Sequence, residues 1–417
     1  MSQASVSFAP VHLVRAMDRE MGAAEESGAL MQTADDVVYE GRHVQLNGKQ
    51  LLNFGSCSYL GLELREELKR GAIDAVTRYG TQFPFPRAML QNPLYLELEA
   101  ALSQITGGFP VIAASTSLGH ISALPVIIGT KDAVLIDMMA HASVHTAASL
   151  LRGMPVIPIH HSDLNELEEK LKVLSTQHQK VWYLLDGLYS MRGDFAPLAE
   201  LETLMGKYPA LHLYVDDAHS TTWTGKHGRG FALETLKDTS RVVVALSLNK
   251  AFAAGGGAMI FPTRDMANLV RRSGGPMVFS GAVQPPLLGA AVASARLHLS
   301  PELATLQAEL MTRLELTVNE ARKLNVPLGV DSLNPVFFLR GGSTKNCFSM
   351  VNSLRAKGAC VCAAMFPIVP RGNAGVRFTI TLHNSLDDIR TMVGWLADET
   401  ERLGLGLVPV PKAPAAE

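Results

Sequence analysis

Seven short apolar runs, separated by segments with helical spacing, constrain the fold of this chain more than any other feature of its sequence. Runs of this length fit strands that are buried on both faces of a parallel sheet, with crossover helices between them. We therefore predict an α/β fold with a seven-stranded, mainly parallel sheet flanked by helices. The predicted strands are 110–114, 133–137, 155–159, 181–185, 211–215, 242–246 and 257–261.

The composition is that of a globular protein and argues against several classes of function. The chain has 417 residues, of which 47% are hydrophobic and 18% charged, so it can bury a large core. The net charge of −2, without a basic block, argues against a nucleic-acid partner. No stretch approaches ~18 consecutive apolar residues, and the N-terminus lacks a signal-peptide pattern, so no membrane span and no secretion are predicted. Four cysteines without zinc-like spacing indicate free thiols, no metal site and a cytoplasmic protein.

The sequence pattern changes on both sides of the predicted sheet, which predicts four parts of the chain. Residues 1–52 form an N-terminal arm that contains an Asn-Gly hairpin turn, and 53–290 form the large domain. Short strands mixed with helices predict a small α+β domain over 291–408. The Pro/Ala-rich tail 409–417 is expected to be flexible.

Polar side chains follow the predicted strands at their carboxyl ends. Parallel strands bring these ends to one edge of the sheet, where the sites of open α/β sheets lie. We therefore expect an active site at this edge. The residues concerned are Ser115 to Ser117, His141, Asp186 to Ser190, Asp216, His219 and Lys250.

Three of these residues suit one cofactor, pyridoxal 5'-phosphate (PLP). PLP requires a lysine amine for a Schiff base and an acid that keeps its ring nitrogen protonated, and a donor near its phenolic oxygen assists. Lys250, Asp216 and His219 supply these groups. The alternative is a capping aspartate, a loop histidine and a surface lysine, and only structural context decides between the two interpretations.

Motifs over about residues 50 to 400 resemble the α-oxoamine synthases, a family of fold-type-I PLP enzymes. The family condenses an amino acid with an acyl thioester, with loss of carbon dioxide, to an α-aminoketone. The resemblance therefore implies an acyltransferase with PLP as cofactor and a homodimer with shared active sites. The matching segments are DMMAHASVHTA at 137–147, DGLYSMRGDFAPL at 186–198, DDAHS at 216–220, SLNK at 247–250 and FPIVPRGNAGVR at 366–377.

The resemblance assigns four catalytic residues. Lys250 forms the Schiff base and exchanges a proton at the α-carbon. Asp216 pairs with the pyridine nitrogen, His219 donates to the phenolic oxygen, and His141 stacks on the ring.

Further cofactor contacts follow from the same resemblance. Ser190 lies near the phenolic oxygen, and Ser247 binds phosphate in place of the usual threonine. Ser117 and Leu118 stand where relatives have a Gly-aromatic pair at the start of a helix whose amides bind phosphate. Ser280 is the hydroxyl available to reach the phosphate of the partner subunit.

Three substrate-binding residues are also implied. Arg377 holds the carboxylate of the amino acid by a bidentate pair. Ser58 is the nearest polar group where the family's asparagine is replaced by Cys57. Arg87 lies in the proline-rich loop 80–93 at the entrance for the acyl donor, which is carried by coenzyme A or by an acyl-carrier protein.

Two other functions remain open from the sequence. The same residues serve other PLP reactions, namely retro-condensation, an aldolase-type cleavage, racemisation or transamination, because the cofactor carries the chemistry. A regulatory subunit with this fold and no activity is the second alternative. Neither the amino acid nor the acyl chain can be read from the sequence.

Overall fold

The structure is a computed structural model that describes residues 11–328 and 333–406. The first ten residues of the predicted arm and the tail 409–417 lie outside the described residues. The described chain divides into two compact units. The large unit comprises residues 57–190 and 194–310. The second unit comprises residues 11–56, 191–193, 311–328 and 333–406. The N-terminal residues therefore group with the C-terminal residues, whereas the sequence pattern placed them in a separate arm.

Thirteen strands and fourteen α-helices occur in the described residues. The strands are β1 His43–Leu46, β2 Lys49–Asn53, β3 Phe109–Ala113, β4 Ala133–Asp137, β5 Val156–Ile159, β6 Val181–Asp186, β7 Leu211–Asp216, β8 Val242–Ser247, β9 Gly257–Phe261, β10 Val336–Gly342, β11 Ala359–Cys360, β12 Cys362–Ala364 and β13 Ala374–Thr379. The helices are α1 Val11–Glu26, α2 Glu66–Tyr79, α3 Leu94–Thr106, α4 Thr116–Ile127, α5 Ala142–Ala148, α6 Leu164–Gln177, α7 Leu198–Lys207, α8 Phe231–Thr235, α9 Arg264–Ser273, α10 Gly275–Phe279, α11 Pro285–His298, α12 Glu302–Lys323, α13 Thr344–Lys357 and α14 Leu386–Leu403.

The large unit is built on the predicted seven-stranded sheet, with strand order β3-β9-β8-β7-β6-β4-β5. The strands from β8 to β5 are parallel, and β9 runs antiparallel to both of its neighbours. Every residue of β4, β6, β8 and β9 is buried. This burial explains the continuous apolar runs in the sequence, because neither face of these strands meets water.

Helices cover both faces of this sheet and form two apolar cores. One core joins α2, α3, α6, α7 and α11 to one face, and the other joins α4, α5 and α9 to the opposite face. Close packing of α2 on α11 needs glycines, since a Cβ on Gly71 would lie 2.6 Å from the carbonyl oxygen of Gly289. The predicted fold class is confirmed.

The second unit contains two small sheets, β1-β2-β11 and β10-β13-β12, with helices α13 and α14. The β1-β2 turn at Asn47 and Gly48 has φ angles of 53° and 73°, as a tight Asn-Gly hairpin requires. Ser385 begins α14 with a reciprocal cap, in which the Ser385 and Asp388 side chains each accept from the other's amide. Across the described residues, no helix combines the length and apolar character needed to cross a membrane.

Candidate active site

A cavity of about 210 Å³ lies at the carboxyl ends of the parallel strands of the large unit. Its walls come from the ends of β6, β7 and β8, the start of α4 and the turn before α5. The lining residues are Ser115, Thr116, Ser117, His141, Ser143, Asp186, Leu188, Asp216, Ala218, His219, Ser247, Asn249 and Lys250. The cavity therefore brings together six of the predicted site residues, which come from distant parts of the chain.

Two buried carboxylates end neighbouring strands, since Asp186 of β6 is the register partner of Asp216 of β7. Burial and the negative charge of Asp216 raise the pKa of Asp186 well above its ordinary value. Burial also opposes ionisation of Asp216, but the hydrogen bond from His120 and the positive charge of Lys250 hold the pKa of Asp216 well below its ordinary value. Asp216 is therefore the anion of the pair, and Asp186 accepts a hydrogen bond of 2.9 Å from the amide of His141.

His219 is buried three residues beyond Asp216 and is held by Tyr59. The His219 Nδ1 and the Tyr59 hydroxyl are 2.8 Å apart, and Tyr59 is fully buried. Tyr59 has a left-handed backbone with φ 48°, in a tight turn where the amide of Gly61 bonds the carbonyl of Ser58. Such a conformation persists in a non-glycine residue only where its surroundings fix it. The turn thus places a phenol that orients the His219 ring.

His141 is the N-cap of α5 and presents a flat ring to the cavity. Its Nδ1 accepts from the amide of Ser143 at 3.3 Å and lies 2.7 Å from the Ser143 hydroxyl. Partial burial lowers the pKa of His141, against the opposing charge of Asp216. The ring is therefore neutral at pH 7, and the acceptor role of Nδ1 assigns the proton to Nε2.

The N-terminus of α4 supplies an anion site at the cavity wall. Ser115 caps the helix, and its Oγ accepts from the amide of Leu118 at 3.1 Å. The first amides of a helix, here those of Thr116 and Ser117, have no acceptor within it and bind anions readily. Ser247 at the end of β8 adds a hydroxyl to the same cavity. The Leu118 amide serves the cap, and its side chain is not part of the lining.

Asn249 closes the loop that carries Lys250. The Asn249 Oδ1 accepts from the amide of Gly256 at 2.6 Å, and the amide of Leu248 bonds the Gly256 carbonyl at 3.0 Å. Gly256 has φ 104°, which glycine adopts without strain. The asparagine therefore has a structural use where the related motif has glycine or serine.

Asp217, the second carboxylate of the DDAH motif, supports the following glycine-rich loop. Its Oδ2 accepts from the amide of Ala232 at 2.9 Å. A Cβ on Gly230 would lie 2.4 Å from the same oxygen, so the loop approaches too closely for any other residue. Burial raises the pKa of Asp217 to about 6, although hydrogen bonds to Ser220 and Ala232 oppose the rise.

Three further predicted residues of the large unit lie outside the cavity lining. Ser58 is buried in the turn before Tyr59. Ser190 follows the β6 end, and Ser280 follows α10, where its hydroxyl bonds the carbonyl of Gly281 at 3.4 Å. Their roles towards cofactor or substrate stay predictions.

Arg87 is held by the protein in the large unit. Its guanidinium donates to the Ile112 carbonyl at 2.6 Å and to Glu99 at 2.5 Å, and lies 4.0 Å from the centre of the Tyr95 ring. These contacts anchor the proline-rich loop, and a substrate contact by Arg87 stays a prediction. Arg377 is buried in β13 of the second unit, and its carboxylate-binding role is also a prediction.

Sequence reasoning missed three residues that support the site. Tyr59 orients His219, while His120 and Tyr214 form a buried chain to Asp216, with separations of 3.0 Å from His120 Nε2 to Asp216 and 2.8 Å from His120 Nδ1 to the Tyr214 hydroxyl. One signal was available for His120. A histidine within the mostly apolar segment 118–127 of α4 needs a buried hydrogen-bond partner.

The cavity fits PLP by the chemistry of its groups. An amine, an anionic carboxylate, a neutral flat imidazole and a helix N-terminus with hydroxyls match the carbonyl, ring nitrogen, ring face and phosphate of that cofactor. Asp216 is a buried carboxylate in the cavity lining, and a buried carboxylate suits a cationic partner such as a protonated ring nitrogen.

Comparison with known proteins gives the class of this chain. The aminotransferase class I and II family model matches residues 51–388. The serine palmitoyltransferase of Bacteriovorax stolpii is 30% identical, over 86% of this chain and 84% of its own length. The 8-amino-7-oxononanoate synthase of Maricaulis maris (strain MCS10) is 32% identical, over 84% of this chain and 86% of its own length.

Solved structures agree on the fold. The Sphingomonas wittichii serine palmitoyltransferase superposes with a TM-score of 0.86 at 20% identity, covering 95% of this chain and 99% of that one. An 8-amino-7-oxononanoate synthase from Francisella tularensis gives a TM-score of 0.70 at 18% identity, covering 85% and 99%. The chain belongs to the aminotransferase class I and II family. Within it, the chain is one of the PLP-dependent α-oxoamine synthases, which confirms the predicted family, cofactor and enzyme class.

Proposed function

We propose that this chain condenses an amino acid with an acyl thioester, releasing carbon dioxide and forming an α-aminoketone. One observation carries the proposal: Lys250, Asp216, His219, His141 and the α4 N-terminus share one cavity. They do so in a chain about as similar to a serine palmitoyltransferase as to an 8-amino-7-oxononanoate synthase, so the reaction class is better supported than either substrate.

When bound, PLP supplies a carbonyl that attaches to an amine and a ring that accepts the electron pair of the α-carbon. Lys250 provides the amine and moves the proton at the α-carbon. Asp216 keeps the positive charge on the ring nitrogen, and His141 packs against the ring face. Thr116, Ser117 and Ser247 hold the phosphate, and His219, oriented by Tyr59, donates towards the phenolic oxygen.

The substrate-binding roles of Arg377, Ser58 and Arg87 belong to the same proposal. A buried arginine on a strand suits a bidentate pair with the carboxylate of an amino acid. Arg87 acts indirectly, by fixing the loop 80–93 on Glu99 and Tyr95. That loop exposes Phe85, Met89 and Leu90, an apolar surface that supports an acyl-carrier protein as one form of the donor.

We also propose a cytoplasmic homodimer in which Ser280 reaches the partner's phosphate. Phe279, beside it, has 89% of its surface exposed, which supports a contact with a second copy at this point. The four cysteines are free, as expected in a reducing compartment. Light scattering after gel filtration tests the dimer, and a monomer at working concentration contradicts it.

Product analysis tests the reaction. The PLP-loaded protein is incubated with single carboxyl-labelled amino acids and with acyl thioesters on coenzyme A or carrier protein. We expect labelled carbon dioxide and an aminoketone only when one amino acid and one thioester are both present. Racemised amino acid or a keto acid formed without a thioester supports the other PLP reactions instead, and no product with any pair supports a non-catalytic role.

A further inference from the structure

A buried hydrogen-bonded chain behind Asp216 has no part in the mechanism above. His120, on α4, is fully buried, and its Nε2 is 3.0 Å from the Asp216 Oδ2. Its Nδ1 is 2.8 Å from the hydroxyl of Tyr214, which is also fully buried. Tyr214 and Asp216 are two residues apart on β7, so one imidazole bridges two side chains of the same strand.

The partners of His120 determine its tautomer. Asp216 is an anion and can only accept, so Nε2 carries a proton. The Tyr214 hydroxyl then donates to Nδ1, which leaves every polar group of the chain satisfied and the imidazole neutral. An imidazolium would donate at both nitrogens, and the buried hydroxyl of Tyr214 would need another acceptor. None is recorded for it among the described residues.

A neutral imidazole has a definite consequence for Asp216. It restrains the carboxylate by a hydrogen bond but does not cancel its charge, so that charge remains for the cofactor. The other Asp216 oxygen accepts from the amide of Ala218 at 3.1 Å, which fixes the group at both ends. An imidazolium here would compete with the ring nitrogen for the same anion.

We propose that His120 is a positioning residue that holds Asp216 for its pairing with the cofactor ring nitrogen, through a neutral tautomer that Tyr214 imposes. The inference rests on the placement of the ring against Asp216 in the proposed function, and it is independent of the thioester. The same residue types would do this in any PLP reaction at this site.

Three variants test the role. His120→Leu removes both bonds, Tyr214→Phe removes only the donor to Nδ1, and His120→Gln can donate to Asp216 and accept from Tyr214 without charge. Loss of a hydrogen bond to a charged group is worth ~1.5–3 kcal/mol, so we expect His120→Leu to lower kcat roughly 10- to 100-fold. KM for the amino acid changes much less, and His120→Gln recovers most of the loss.

Two readouts separate positioning from mere packing. The first is the visible absorbance spectrum and dissociation constant of PLP, titrated into the apoprotein without any substrate. We expect weaker binding and an altered spectrum for His120→Leu and Tyr214→Phe, and near wild-type behaviour for His120→Gln. The second is ¹⁵N NMR of histidine-labelled apoprotein, assigned by difference from His120→Gln. It should show a neutral, Nε2-protonated His120 in the wild type and an imidazolium in Tyr214→Phe.

His298 offers a matched control. It is likewise fully buried and bonded at both nitrogens, to the Ser294 carbonyl and the Thr222 hydroxyl, and it does not line the cavity. His298→Leu should lose stability comparably to His120→Leu without changing the PLP spectrum. A wild-type His120 imidazolium overturns the proposal, as does a folded His120→Leu protein with wild-type PLP binding and spectrum. If the variants change PLP binding and the PLP spectrum as expected but the wild type forms no product from any thioester, the proposed function is rejected and the role of His120 is retained.

Discussion

Two histidine–carboxylate clusters lie at the same edge of the sheet, the first buried and the second partly exposed, and they differ in the number of carboxylates. In the first, His120 contacts one carboxylate, Asp216, and a phenol. In the second, His161 lies between Asp137 and Asp194, with Nδ1 at 3.1 Å from Asp137 and Nε2 at 2.6 Å from Asp194. The first cluster lines the cavity through Asp216, while none of these three second-cluster residues does.

The local charge around each histidine, and not the residue type, therefore separates a cluster that assists catalysis from one that stabilises the fold. Burial alone would lower the pKa of His161, but hydrogen bonds to Asp137 and Asp194 raise it to about 9. His161 is therefore a cation at neutral pH that neutralises two acids. His120 faces a single acid whose charge remains available. Substitutions in the first cluster should change catalysis, and substitutions in the second should change stability.

Lys250→Ala should have the largest effect on catalysis. Without the amine, the cofactor carbonyl has no attachment point and the α-proton has no base. We expect turnover to fall by about three orders of magnitude or more, as for other residues that form bonds in the reaction. Borohydride reduction of the wild type, followed by peptide mass spectrometry, should place the cofactor on Lys250. Cofactor found on another lysine, or full turnover by the variant, contradicts the assignment.

Asp216→Asn should have the next largest effect. The amide keeps the shape but loses the charge that pairs with the ring nitrogen. We expect kcat to fall roughly 10²- to 10³-fold, as for other preorganised electrostatic contacts. Asp238→Asn, a surface carboxylate bonded to the amide of Ser240, is the control and should leave kcat unchanged. If the kcat of Asp216→Asn falls by less than about threefold, the ring nitrogen needs no anion at this site.

His161→Leu should lower stability and spare catalysis. It leaves the fully buried Asp137 and the neighbouring Asp194 without their cation, and such a loss costs about 3 kcal/mol or more. Urea unfolding measures this loss of stability, with His178→Leu, at a partly exposed histidine, as the control. Turnover per folded molecule should remain near that of the wild type. If catalysis falls while stability is unchanged, the two clusters do not differ as described.

The charge of His161 should also make stability depend on pH. The folded pKa of His161, about 9, lies above the ordinary histidine value of 6.5, so its stabilising contribution is complete below pH 6.5 and is lost as the pH rises towards 9. The difference in unfolding free energy between wild type and His161→Leu should therefore shrink over this range. A difference that is constant from pH 6 to about 9.5 would show that His161 is not a cation in the fold.

Tyr183→Phe should have the smallest effect. The Tyr183 hydroxyl donates to Asp137 at 3.2 Å in the second cluster, and the loss of one such bond costs about 1 kcal/mol. The solvent-accessible Tyr208→Phe, which removes a bond to Glu168, is the control and should cost less. Tyr183→Phe should leave the PLP spectrum unchanged, whereas Tyr214→Phe should change it. Equal spectral effects of the two phenols would remove the distinction between the clusters.

The sequence predicted the sheet closely because its strands are buried on both faces. Such strands must be apolar throughout, so each one is visible in the sequence, and the predicted bounds differ from the observed ones by no more than a residue or two. The division of the chain into two compact units was harder to predict from the sequence. The pairing of β11 with β2 joins residues about 300 positions apart, and no local pattern encodes that contact.

Much of the candidate site was also accessible from the sequence. Motif positions fixed Asp216, His219 and Lys250, and strand ends predicted their common location. The residues that orient these groups could not be predicted from the sequence in the same way. Tyr59 carries no local signal for its contact with His219, because its hydroxyl reaches a residue 160 positions away.

The fold class and the family of this protein were therefore predictable from the sequence, because apolar periodicity and motif chemistry are local properties. The tertiary structure was needed to establish which acid stays ionised, which histidine is neutral and which arginine anchors a loop. Those properties depend on burial and on the charges that packing brings within hydrogen-bonding distance. Asp186 and Asp216 illustrate the point, since two strand-end aspartates have pKa values shifted in opposite directions by their neighbours.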